Sequence, residues 1–126
     1  MTTEFTTAHI KGHGRGKFLG YPTVNLAIPQ GFELADGIYA VRVTAGGNTF
    51  QGAMHWGSIP TFDQSEKSLE VFLLDVNDQL LSHTDLSTVT VQVVEKIRDV
   101  EKFSSLQALT RKIDTDVAAV RRILKE

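Results

Sequence analysis

The hydrophobic periodicity changes once along this chain, and that change constrains the fold more than any other feature. Up to about residue 95 apolar residues alternate with a period of two, and beyond residue 104 they recur at three and four. In Gly37-Ile-Tyr-Ala-Val-Arg-Val-Thr44, Ile38, Ala40 and Arg42 face one way while Tyr39, Val41 and Val43 face the other. Ser68-Leu-Glu-Val-Phe-Leu-Leu-Asp75 is largely apolar on both faces, and Ser87-Thr-Val-Thr-Val-Gln-Val-Val-Glu95 is β-branched. Two more extended stretches are expected at 4–10 and 21–28, and a returning strand at 49–56. Turn chemistry divides them: Ala45-Gly-Gly-Asn48 signals a hairpin, Gly57-Ser-Ile-Pro60 a break, and Asn77-Asp78 the start of a turn. After the change, Leu106, Leu109, Ile113, Val117, Val120 and Leu124 form one helical stripe, with Arg111, Lys112, Arg121 and Arg122 outward. Ser104, with Gln107 three residues on, reads as the capping box of a helix over about 105–125. Many short strands at close spacing predict a closed antiparallel barrel, which leaves no exposed edges, with this helix packed on it.

A chain of 126 residues predicts one domain, 1–126, with no room for a second nucleotide-binding module. Charged residues are 22% of the chain and the net charge is −2, so no polybasic field is available for a nucleic-acid backbone or an anionic membrane. Any phosphate must be held locally, by a shaped site. Cysteine is absent, which excludes disulfides, thiolate nucleophiles and Cys-zinc sites. The N-terminus lacks a basic segment followed by an apolar one, and no run approaches the ~20 apolar residues of a membrane helix. A soluble cytoplasmic monomer is expected.

Three features carry possible chemistry. Gly12-His-Gly-Arg-Gly-Lys-Phe-Leu-Gly20 holds four glycines and lies in a loop, where the backbone could approach a phosphate closely. It lacks the Gly-Lys-Ser/Thr ending of a Walker loop and the βαβ context of a dinucleotide fingerprint, so by itself a plain surface loop is the favoured reading. Thr23 and Asn25 stand two apart on an extended segment, so their side chains emerge on one face. They offer two hard oxygens suited to Mg²⁺, or simply to hydrogen bonding within the sheet. Glu70 shares a face with Phe72 and Leu74; burial there would raise its pKa and suit it to take a proton from a hydroxyl, while a sheet-edge position would make it structural. His13 and His55 have no metal-ligand spacing. Trp56 and Tyr39 read as core or rim residues, and Arg98 alone as a surface arginine.

Taken in order, these pieces resemble the riboflavin kinase family, found alone in eukaryotes and as the C-terminal half of bifunctional bacterial FAD synthetases. The resemblance rests on Gly12-His-Gly-Arg-Gly-Lys-Phe-Leu-Gly-Tyr-Pro-Thr-Val-Asn25, Asp36-Gly-Ile-Tyr-Ala40, Gly57-Ser-Ile-Pro-Thr-Phe62, Leu69-Glu-Val-Phe-Leu-Leu-Asp75 and Ile97-Arg-Asp-Val-Glu-Lys-Phe103, then a helix with Asp116. It implies an all-β fold, a six-stranded antiparallel Greek-key barrel with one C-terminal α-helix. It implies transfer of the ATP γ-phosphate to the ribityl hydroxyl of riboflavin, giving FMN. By that likeness Thr23 and Asn25 ligate Mg²⁺ and Glu70 is the general base. Gly12 and Lys17 lie in a flap over the nucleotide, and Leu73 and Asp75 flank its adenosine end. Arg98 and Glu101 sit in a second flap against the isoalloxazine.

Departures from the family pattern also stand in the sequence. Leu81-Ser82 occupies the place of a usual Tyr-Gly, His55 and Ile59 replace a common Asn and Arg, and Val24 replaces Ala. Three alternatives stand beside this reading: a flavin-binding module without catalysis, a kinase using another nucleotide such as CTP or a flavin analogue, and a structural or protein-binding barrel with a polar loop.

Overall fold

Alternation of apolar and polar residues becomes a curled sheet in the computed structural model, which describes residues 3–10, 21–58 and 67–125. The elements are β1 (Thr3–Thr7), β2 (Thr23–Asn25), β3 (Gly37–Ala45), β4 (Asn48–Ser58), β5 (Lys67–Leu73), a short helix α1 (Asp78–Ser82), β6 (Val89–Arg98) and the long helix α2 (Leu106–Ile123). The strands form one six-stranded sheet in the order β1-β6-β3-β4-β5-β2, every pair antiparallel. β3, β4 and β5 follow one another, and β6 returns beside β3, which is the Greek-key order. Just past β1 and β2 the two edges meet: His9 bridges Leu26, and Ile10 N–H donates to the Asn25 carbonyl at 2.8 Å. The expected barrel is thus present as a sheet curled until its edges touch.

The hairpin between β3 and β4 uses the two glycines that the sequence marks. Gly46 and Gly47 have φ of +55° and +80°, a left-handed pair that lets Ala45 and Asn48 stay in register.

The central strands β3, β4, β5 and β6 serve two cores. Inside the curl lie Val24, Tyr39, Val41, Val43, Met54, Trp56, Leu69, Val71 and Leu73. On the outer face Ala40, Ala53, Phe72 and Leu74 pack under Ile113, Val117, Val120 and Leu124 of α2. This explains why the β5 sequence is apolar on both faces: one side fills the curl and the other supports the helix. Tyr39 and Trp56 are core residues, as expected, with their polar atoms donating to the Ala35 and Leu34 carbonyls.

Three local expectations are corrected. Residues 77–82 are not simply a turn: Asn77 caps α1 by accepting from Leu80 N–H at 2.7 Å. The cap of α2 is Ser105 rather than Ser104, its hydroxyl accepting from Ala108 N–H at 3.1 Å. With two adjacent serines, sequence cannot choose between them, and Gln107 then falls one residue short of the capping-box position. Leu106, in the first turn, is exposed, because the stripe meets the sheet only from Leu109 onward.

Candidate functional site

The site is assembled by strand register. β2 pairs with β5 so that Thr23 opposes Phe72, Val24 opposes Val71 and Asn25 opposes Glu70. Val24 points into the curl, so Thr23 and Asn25 project from the outer face, on the side of Glu70 and Phe72. The next pairings extend the row: Glu70 opposes His55, His55 opposes Ile38, and Ile38 opposes Arg98. Asn25, Glu70, His55, Ile38 and Arg98, from five different strands, therefore lie side by side across the outer face. Directly opposed residues have Cβ atoms about 4.5–5.5 Å apart. Glu70 is 1% exposed and His55 6% exposed.

Arg98 ends this row. Its Nε and Nη2 donate to the two oxygens of Asp116 on α2, each at 2.8 Å, and Nη1 donates to the Asp99 carbonyl at 3.0 Å. The guanidinium also lies 5.8 Å from the Phe103 ring centre and 3.9 Å from Glu101, whose carboxylate is 3.5 Å from Lys112. Residues 99–105 are thereby tied to the helix. Beneath them is a narrow cavity of about 20 Å³, room for about one water. Its lining is mainly apolar, from Ile38, Phe72, Val100, Phe103, Leu109 and Ile113, with His55, Arg98 and Glu101 as polar members.

A second, open cleft lies past the other end of β5, lined by Tyr21, Pro22, Leu73, Asp75, Val76, Asn77 and Arg121. The Leu73 side chain is in the core; its N–H donates to the Pro22 carbonyl at 2.9 Å. Asp75 has a left-handed backbone, φ +59°, and accepts two 2.9 Å hydrogen bonds from Arg121. The Arg121 hydrogen bonds hold the Asp75 carboxyl below the usual carboxylate range. Tyr21 donates to Asp114 at 2.6 Å; partial burial, then this bond, push its hydroxyl up to about 12.

The chemistry of the donors suits a hard cation. Among the described residues no cluster of three or more His, Cys, Asp or Glu could hold a metal. Thr23 and Asn25 offer neutral oxygens instead. The Thr23 hydroxyl donates to the Tyr21 carbonyl at 3.2 Å, which leaves its acceptor lone pairs for another partner. A site of few protein oxygens, completed by water and phosphate, is the kind Mg²⁺ accepts.

Of the residues singled out in the sequence, Thr23, Asn25 and Glu70 come together on one face. Leu73 and Asp75 line the open cleft, and Arg98 and Glu101 line the narrow cavity. Gly12, Lys17, His13 and Ile59 lie outside the described residues. Sequence reasoning missed His55 as a neighbour of Glu70, and missed the pairings of Arg121 with Asp75 and of Tyr21 with Asp114. Alternation gives a residue's face, but only register says which residue on the next strand stands opposite. No helix among the described residues is long and apolar enough to cross a membrane.

Comparison with known proteins bears on the whole chain. The profile of the flavokinase family, described as riboflavin kinase, matches residues 2–124. An RNA-binding riboflavin kinase of Bacillus subtilis, RibR, is 33% identical over 115 residues, covering 90% of this chain and 47% of that protein. A crystal structure of a macrolide-efflux protein from Streptococcus pneumoniae superposes with a TM-score of 0.77 at 30% identity, covering 94% of this chain and 38% of the other. Riboflavin kinase from Trypanosoma brucei superposes with a TM-score of 0.61 at 20% identity, over 99% of this chain and 81% of the other, a likeness of fold. The chain thus spans about half of the first relative and less of the second.

Proposed function

The chain belongs to the riboflavin kinase (flavokinase) family, and from that premise we propose that it transfers the γ-phosphoryl group of ATP to the ribityl 5′-hydroxyl of riboflavin, giving FMN and ADP. The observation that carries this reading is the register that sets the buried Glu70 beside Asn25, on the face shared with Thr23. A carboxylate next to hard oxygen donors is what a hydroxyl acceptor and a metal-bound phosphate require in one place.

Glu70 takes the proton of the attacking hydroxyl, so that oxygen meets the phosphoryl group as a stronger nucleophile. Thr23 and Asn25 would hold Mg²⁺, which when bound supplies positive charge beside the phosphates. Leu73 and Asp75, in the open cleft, flank the adenosine end of the nucleotide, and Gly12 and Lys17 are assigned to nucleotide binding by the family resemblance alone. Arg98 and Glu101 border the flavin ring. Drug-sized ligands occupy clefts of about 300–1,000 Å³, so the 20 Å³ cavity must widen by movement of residues 99–105 before a ring can enter. Closure over the bound ring then excludes water as a competing acceptor. Residues 1–126 act in this reading as one kinase domain.

The test is to incubate the protein with riboflavin, ATP and Mg²⁺ and separate the flavins by chromatography. FMN formed only when all three are present supports the reading. FMN formed with CTP but not ATP would change the nucleotide. Riboflavin bound without any FMN would reduce the chain to a flavin-binding module.

A further inference from the structure

Between the apolar cavity and Glu70 stands one polar side chain that the proposed reaction has not used. His55 lies directly opposite Glu70 across the β4–β5 pair and directly opposite Ile38 across β3–β4. It is 6% exposed and lines the cavity together with Phe72 and Arg98. The row Arg98, Ile38, His55, Glu70, Asn25 crosses five strands in four steps. At a strand spacing of about 4.8 Å, it is a track roughly 19 Å long. One end is apolar and capped by a guanidinium; the other carries the oxygen donors. An acceptor with a flat apolar ring at one end and a reacting hydroxyl at Glu70 must lay the chain that joins them across His55.

We propose that His55 is a specificity-determining residue that hydrogen-bonds the polyol chain of the acceptor, one strand away from the hydroxyl that reacts. This deepens the riboflavin reading and rests on it. An imidazole can donate from one ring nitrogen and accept at the other, so it suits a chain of hydroxyls, which do both. A hydroxyl set against the imidazole adds a hydrogen bond that an analogue lacking that hydroxyl cannot make. His55 should therefore separate flavins that bear a polyol from those that do not.

The experiment measures binding by quenching of flavin fluorescence, using riboflavin and lumiflavin, which has a methyl group in place of the ribityl chain. The wild-type chain is compared with His55→Ala and His55→Asn. His55→Ala should weaken riboflavin binding about tenfold and leave lumiflavin binding unchanged. His55→Asn, which keeps a donor and an acceptor, should restore most of the preference for riboflavin. Equal loss for both flavins in both variants, or no loss for either, would overturn the proposal, as would a wild-type chain that binds the two alike. A wild-type chain that prefers riboflavin yet makes no FMN would remove the kinase reading and leave this one standing.

Discussion

Arg98 and Asp116 are joined by two parallel hydrogen bonds of 2.8 Å, and the Asp116 side chain is 1% exposed. The pair fixes the end of β6 to the middle of α2 and sets where residues 99–105 begin. Removing the Asp116 charge leaves the Arg98 guanidinium with the half-exposed Glu101, 3.9 Å away, as a weaker substitute. Asp116→Asn, which keeps the shape, should cost about 3 kcal/mol or more of stability. Urea unfolding checks this; a loss under about 1 kcal/mol would mean that the pair behaves as a surface ion pair.

Thr23→Ala should weaken binding of Mg-nucleotide about tenfold while leaving riboflavin binding unaltered, because Thr23 stands at the Asn25 end of the row. Calorimetric titration with each ligand in turn separates the two. Equal losses would point to a damaged fold rather than a lost metal ligand.

Tyr21 carries a pH signature. Its hydroxyl is pushed up to about 12 in the folded chain from an ordinary value of 10.0. The folded state thus holds this proton more tightly than the unfolded state. Its contribution to stability is complete below pH 10 and fades as the pH climbs toward 12. Tyr39, also raised by burial, adds a trend of the same sign that a change at Tyr21 does not remove. Melting curves of the wild type and Tyr21→Phe should therefore converge across that range. A gap that stays constant would contradict the assignment.

Gly52 is required by packing. A β-carbon there would lie 2.4 Å from Val71 Cγ1 and 3.1 Å from the Phe72 carbonyl oxygen, both on β5. Gly52→Ala should destabilise the chain by about 1–3 kcal/mol, measured by denaturant unfolding, although alanine is otherwise a better strand residue than glycine. Unchanged stability would show that β4 and β5 can separate at little cost.

Much of this was legible in the sequence, for identifiable reasons. The single change of period gave the sheet and the helix, and Gly46-Gly47 gave the hairpin. Alternation put Thr23 with Asn25 and Glu70 with Phe72, because both follow from one strand's geometry. The helix start slipped by one residue because Ser104 and Ser105 offer the same hydroxyl. α1 was missed because five residues are too few to show a helical stripe. His55 could not be placed beside Glu70, nor Arg121 beside Asp75, since those contacts depend on how three separate segments register and pack. The Arg98 environment was hidden for the same reason: its partner lies 18 residues on, across a loop whose path the local sequence does not specify.

The proposed removal of the acceptor hydroxyl's proton by Glu70 is isolated by Glu70→Gln. The substitution keeps size and one acceptor oxygen but cannot take up the proton. FMN formation from riboflavin and Mg-ATP should fall by about 10²–10⁴-fold, while riboflavin binding, followed by fluorescence, is retained. Glu70→Gln that forms FMN at the wild-type rate would show that Glu70 is not the base.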